Sequence, residues 1–158
     1  MKDAAAAGAA EVVARTRTTS LGTLHDGAPS VTLAPFAVVR EPLAFVVLVS
    51  GLASHTRDML ADPRVALLVA DAEAGAAAPH AVPRVAIRGT AAPLDAPHPR
   101  YAAARAAYER RFPDMAGLFG LGDFRLFAIA PAEVRVVLGF AQAASLTPAT
   151  LAAALARD

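Results

Sequence analysis

The chain has 158 residues, 56% of them hydrophobic and 18% charged, enough for one domain with a sizeable core, although much of the apolar fraction is alanine. A formal net charge of +1, with arginines interleaved among acids and prolines, argues against a nucleic-acid surface. The absence of cysteine excludes disulfides, thiol nucleophiles and cysteine-bound metal clusters, and fits a reducing, cytoplasmic setting.

The N-terminal "MKDAAAAGAAEVVARTR" reads as a helix over residues 1–16, since Asp3, Glu11 and Arg15 interrupt a run too weakly hydrophobic for a signal peptide. "TSLGTLHDGAPSVTLAPFAVV" reads as two extended segments joined at "HDG", where Asp26 and Gly27 tolerate the positive backbone angles of a tight hairpin. A turn at "REP" leads into the apolar run Leu43 to Val49, a largely buried strand and far short of the roughly 20 residues a membrane helix needs. A helix of about two turns follows from near Ser54 to Ala61, stopped by Asp62 and Pro63.

"RVALLVAD" is the next strand, residues 72–83 form a loop of small residues and prolines, and "RVAIRGTAAPL" resumes the sheet. There Val85 and Ile87 alternate with Ala86 and Arg88, and Arg84 shares a face with Arg88. "HPRYAAARAAYERRF" is a helix with Tyr101, Arg105 and Tyr108 at helical spacing, ended before Pro113. "GLFGLGDF" reads as a turn, and "FRLFAIAP" and "VRVVLGF" as two strands separated by "PAE". "TPATLAAALA" closes as a helix over 147–157, with Thr147 as N-cap and Pro148 at its first position. Hairpin connections and the excess of strands over helices favour an antiparallel sheet or barrel in a single domain over residues 1–158.

The polar cluster in "GLASHTRDMLADPR" is the local signal for chemistry. With Ser54 as N-cap, Arg57 falls at the third helical position, where its charge opposes the helix dipole. An anion would reverse that sign, because free N–H groups, the hydroxyls of Ser54 and Thr56, an imidazole and a guanidinium together make a phosphate cradle. The plainer alternative is an ordinary capped helix with a solvated arginine, and from local chemistry alone it is the stronger. No G-x-G-x-x-G or G-x-S-x-G pattern occurs, and the four histidines, at 25, 55, 80 and 98, show no ligand spacing, so no metal site is expected.

Four stretches in order, "GTLHDGAPSVTLAPFAV", "LVSGLASHTRDMLADPRVALLV", "RVAIRGTAAPL" and "FGLGDFRLFAIAPAEVRVVLGFAQA", resemble the pyridoxamine 5'-phosphate oxidase-like FMN-binding split barrels. "GDFRLFAIAP" followed by "GFAQA" is similar to the haem-utilisation branch, and the match covers roughly residues 12–146. The resemblance implies a mainly β fold with flanking helices, a six-stranded antiparallel split barrel. It also implies a homodimer, with FMN in clefts shared by the two subunits. Thr32, Leu33 and Ala34 would line the flavin, while Leu48, Ser50, Ser54, His55, Thr56 and Arg57 would hold the ring edge and phosphate. Arg84 and Arg88 of the partner would close the site.

Oxidases of this family usually carry basic residues where this chain has Thr32 and His55, and the oxidase's C-terminal Trp, Arg and His pattern is absent, so pyridoxamine phosphate is not the expected substrate. Haem-utilisation proteins often supply a C-terminal histidine for the iron, and no histidine follows His98 here. The leading expectation is an FMN-dependent oxidoreductase acting on a small molecule, with no catalytic acid or base assigned. The runner-up is a non-catalytic protein that binds haem or another planar anion.

Overall fold

In the computed structural model, which describes residues 1–75 and 78–157, four helices flank one antiparallel sheet. The helices are α1 (Lys2–Arg15), α2 (Ser54–Ala61), α3 (Tyr101–Arg111) and α4 (Pro148–Leu155). The strands are β1 (Thr18–His25), β2 (Ala28–Pro35), β3 (Ala37–Arg40), β4 (Leu43–Ser50), β5 (Arg64–Ala70), β6 (Arg84–Leu94), β7 (Phe124–Gly139) and β8 (Gln142–Leu146). The sheet thus has eight strands, not six. The loop expected over 72–83 includes residues 76–77, which lie outside the described residues; its end forms a short 3-10 turn, Pro79–Ala81.

The hydrogen-bonded order is β2-β1-β5-β6-β7-β4-β3, with β8 on β7. β2 and β3 stand at opposite ends of that order yet are separated in the chain by Phe36 alone. The sheet must therefore curl until its two edges meet, although no ladder joins them. Pro35, which has no N–H, ends the pairing with β1, and the Phe36 N–H turns to the Arg17 carbonyl at 3.1 Å. The segment expected as one strand before "REP" is for this reason two strands with different partners.

The β1–β2 turn is as expected, with Asp26 at φ 50° and Gly27 at φ 80°. "PAE" does not divide two strands. Arg88 pairs with Glu133 and Gly89 with Pro131, so Ala132 is the extra residue of a β-bulge within one 16-residue strand. Pro131, which cannot donate to a ladder, is accommodated at that bulge. Of the stretch read as a turn, residues 117–120 end a 3-10 helix over Pro113–Gly120, and residues 121–123 make the turn into β7. β8, missed in the sequence, folds back through Phe140 and Ala141, the latter at φ 60°.

β4 explains the uninterrupted apolar run. Phe45, Val47 and Val49 face the barrel interior with Leu21, Leu67, Ile87 and Phe127, and α1 and α4 plug that core with Val13 and Leu151. Val46 and Leu48 face the other way, beneath Ala104, Tyr108 and Phe112 of α3 and the residue after it. Both faces of β4 are covered, so no polar alternation is possible. Tyr108 is buried.

Candidate functional site

β4 delivers Ser50 to a tight turn that opens α2. The Ser50 carbonyl accepts the Thr56 hydroxyl at 2.6 Å and the Ala53 N–H at 3.1 Å. The Ser50 hydroxyl donates to Asp123 Oδ2 and accepts the Leu52 N–H, each at 3.2 Å. The Gly51 N–H donates to the Asp123 carbonyl, and a Cβ at Gly51 would lie 2.8 Å from that oxygen, so the clamp requires glycine. The turn is thereby fixed to the segment preceding β7.

α2 has the expected bounds but a different start. Its N-cap is Ala53, which offers no side-chain acceptor, so Ser54 is the first helical residue and Arg57 the fourth. The first-turn N–H groups of Ser54, His55 and Thr56 consequently lack an intrahelical or capping partner. Arg57 is exposed and donates from Nη1 to the Leu52 carbonyl at 3.2 Å. No carboxylate pairs with it among the described residues. His55 is half-buried, and burial pushes its pKa below 6.5, with Asp58 opposing the shift. Burial thus disfavours a charged imidazole at this position.

One polar contact beside the cluster escaped sequence reading. Asp58, 5% exposed, accepts the Thr23 hydroxyl at 3.1 Å and contacts His25 Nδ1 at 2.7 Å. The contact raises the His25 pKa, chiefly through the hydrogen bond, and lowers that of Asp58. It ties the end of the β1–β2 hairpin to the helix carrying the anion cluster. Asp58 shares "SHTRDM" with the cluster, but nothing in the sequence joins it to a histidine 33 residues away.

The other expected residues divide among several places. Thr32 pairs across from Leu21 and, with Ala34, faces the barrel interior near α2, whereas Leu33 points outward. The Leu48 side chain packs beneath α3. Arg84 donates to the carbonyls of His80 at 3.2 Å and Val82 at 2.9 Å, and Arg88 pairs with Glu133 at 2.5 Å. Arg84 lies opposite Ala70 and Arg64 opposite Thr90, so Arg84 and the α2 end of the sheet are separated by six residues, roughly 20 Å of strand. One chain alone does not bring Arg84 to α2.

The outer sheet face is unusually apolar. Val31 and Leu33 are 72% and 69% exposed, Leu68 is also exposed, and Ser20, Gly22, Ala66 and Ala86 beside them are small. Much of this surface lines a shallow concavity of about 880 Å³ edged by Arg88, Glu133 and Arg135. Contiguous exposed apolar surface of this kind marks an interaction face.

The sequence model of the family described as pyridoxamine 5'-phosphate oxidase matches residues 6–138. The chain belongs to the pyridoxamine 5'-phosphate oxidase family. Its architecture is the family's antiparallel split barrel with flanking helices. HutZ of Vibrio cholerae, described as a heme oxygenase, is 30% identical over 129 residues, which cover 80% of this chain and 72% of HutZ. The crystal structure of HutZ, there called a heme storage protein, gives a TM-score of 0.69 at 28% identity over 77% of this chain and 85% of that one. A heme binding protein from Mycobacterium smegmatis gives 0.84 at 28% identity over 94% of this chain. The chain spans only 60% of that protein's length. Within the pyridoxamine 5'-phosphate oxidase family, the chain falls in the haem-utilisation branch. Among the described residues, no helix is long and apolar enough to cross a membrane.

Proposed function

We propose that two copies of this chain form a split-barrel homodimer that binds FMN across the subunit interface and acts as an oxidoreductase on a small molecule. The observation carrying the proposal is the uncapped start of α2, with three N–H groups and the Arg57 guanidinium lacking any anionic partner among the described residues. These groups fit a phosphate. The Ser54 hydroxyl is exposed and adds a donor, whereas the Ser50 and Thr56 hydroxyls are already committed to the turn.

Bound FMN supplies hydride or electron transfer through its ring. The chain's part is binding and orientation. Ser50 and Asp123 hold the turn, Thr56 aligns the helix start, and Arg57 adds charge to the dipole's positive end. Thr32 and Ala34 face inward from the strand beside α2. Val31, Leu33 and Leu68 offer the apolar surface for the second subunit, whose Arg84, far from its own chain's α2, would reach the site together with Arg88.

The test compares FMN with riboflavin, which lacks the phosphate. Arg57→Ala is expected to weaken FMN about tenfold, equivalent to about 1.4 kcal/mol, and to change riboflavin by less than about twofold. Equal losses would remove the phosphate role, and absence of saturable FMN binding to the wild-type protein would remove the proposal.

A second reading is favoured by the relatives described as heme storage and heme binding proteins. On that reading the same cationic helix start holds the carboxylates of a haem, without catalysis by this chain. The absorption spectrum of protein purified without added ligand separates the two: a flavin spectrum supports the first and a Soret band the second.

A further inference from the structure

A second cleft lies between the C-terminal end of α1, the edge strand β3 and α3. Its volume is about 760 Å³, within the range of small-molecule sites. Phe36, Val38 and Ala107 are among the apolar residues of its wall, and its charged residues are Arg40, Arg110, Arg111 and Glu41.

Three arginines against one glutamate leave the cleft strongly cationic. No carboxylate pairs with Arg40, Arg110 or Arg111 among the described residues. Arg111 is fixed in the wall, donating to the carbonyls of Ala14 at 3.0 Å and Thr16 at 2.5 Å, while its Nε is buried without an acceptor. Arg17, stacked 5.1 Å from the centre of the Phe112 ring, adds to the same positive field. Arg64 and Arg105 each pair with a carboxylate, whereas these do not.

We propose that this cleft is a binding site for a small organic anion with an apolar body, of the medium-chain carboxylate class. The charged head would lie between Arg40 and Arg110, and the tail would run over the half-buried Val38, Val39 and Ala106. β3 pairs only with β4, so alternate backbone groups on its open edge are available to a ligand. Its four residues give the cleft ~13 Å of strand, the span of an alkyl chain of about ten carbons.

The probe is decanoate, titrated calorimetrically into the full-length protein. Saturable binding at one site per chain is expected, with decanol, which has the tail but no charge, at least about tenfold weaker. The double variant Arg40→Gln/Arg110→Gln changes two exposed side chains and is expected to weaken decanoate at least about tenfold at unchanged Tm. Arg57→Ala is expected to leave decanoate binding as in the wild type, whatever it does to FMN. The site is overturned by wild-type affinity in the double variant, by equal affinity for decanol, by loss of decanoate in Arg57→Ala, or by no saturable heat.

Discussion

At the scale of single residues, the buried carboxylate of Asp58 is the group with the most to lose. Thr23 and His25 both serve it, and His25 is in turn 3.7 Å from the Asp26 carboxylate. His25 has its pKa raised above 6.5 on folding, so its contribution to stability is complete below that value and is lost as pH rises through the folded pKa. Asp58 has its pKa lowered below 3.8, so its contribution is present above that value and is lost as pH falls through the folded pKa. Wild-type Tm is therefore expected to fall as pH rises above about 6.5, and His25→Gln to flatten that part of the curve. Parallel Tm curves for the two proteins would contradict the pairing. This contact was illegible in the sequence because His25 precedes Asp-Gly and reads as a turn residue. Only the juxtaposition of a strand end with a helix face makes it a partner for Asp58.

At the scale of elements, local chemistry was read well where a residue's own geometry decides the outcome. Asp26 and Gly27 make the hairpin turn, and Thr147 caps α4 by accepting the Thr150 N–H at 3.1 Å, with Pro148 next. Ser54 was misread as a cap because serine prefers that position, but Thr56 and Ser50 lock the turn one residue earlier. "PAE" was misread as a break because proline interrupts most strands. In β7 the bulge accepts it, helped by Gly89, where a Cβ would collide with the Ala130 carbonyl. Gly89→Ala is accordingly expected to destabilise the protein by about 1–3 kcal/mol, measured by urea denaturation. Wild-type stability in that variant would show that β7 yields at no cost.

At the scale of the whole molecule, Phe36 decides the shape. By linking the two ends of the hydrogen-bonded order, it makes a barrel of a sheet whose edges never pair. The same curl turns Val31, Leu33 and Leu68 outward as one apolar surface. If the proposed dimer forms, Leu33→Glu is expected to shift it to monomer in light scattering after size exclusion, because two copies of that charge would be buried on one self-complementary face. A dimer of unchanged affinity would move the interface elsewhere. If the monomer forms, FMN binding is expected to weaken with it, since Arg84 is roughly 20 Å of strand from its own chain's α2 end.

The order of helices and most strands, the hairpin turn, the α4 cap and the polar start of α2 were determined by the sequence alone, because each depends on neighbours a few residues apart. The family resemblance carried the split barrel further than periodicity could. The folded chain adds the features that depend on residues far apart in the sequence. It buries both faces of β4, divides the segment around Pro35 between two partners, absorbs "PAE" into a bulge, joins His25 to Asp58, and collects arginines from β3 and α3 around one cleft. Long-range pairing fixes those features, and no local pattern of residues encodes it.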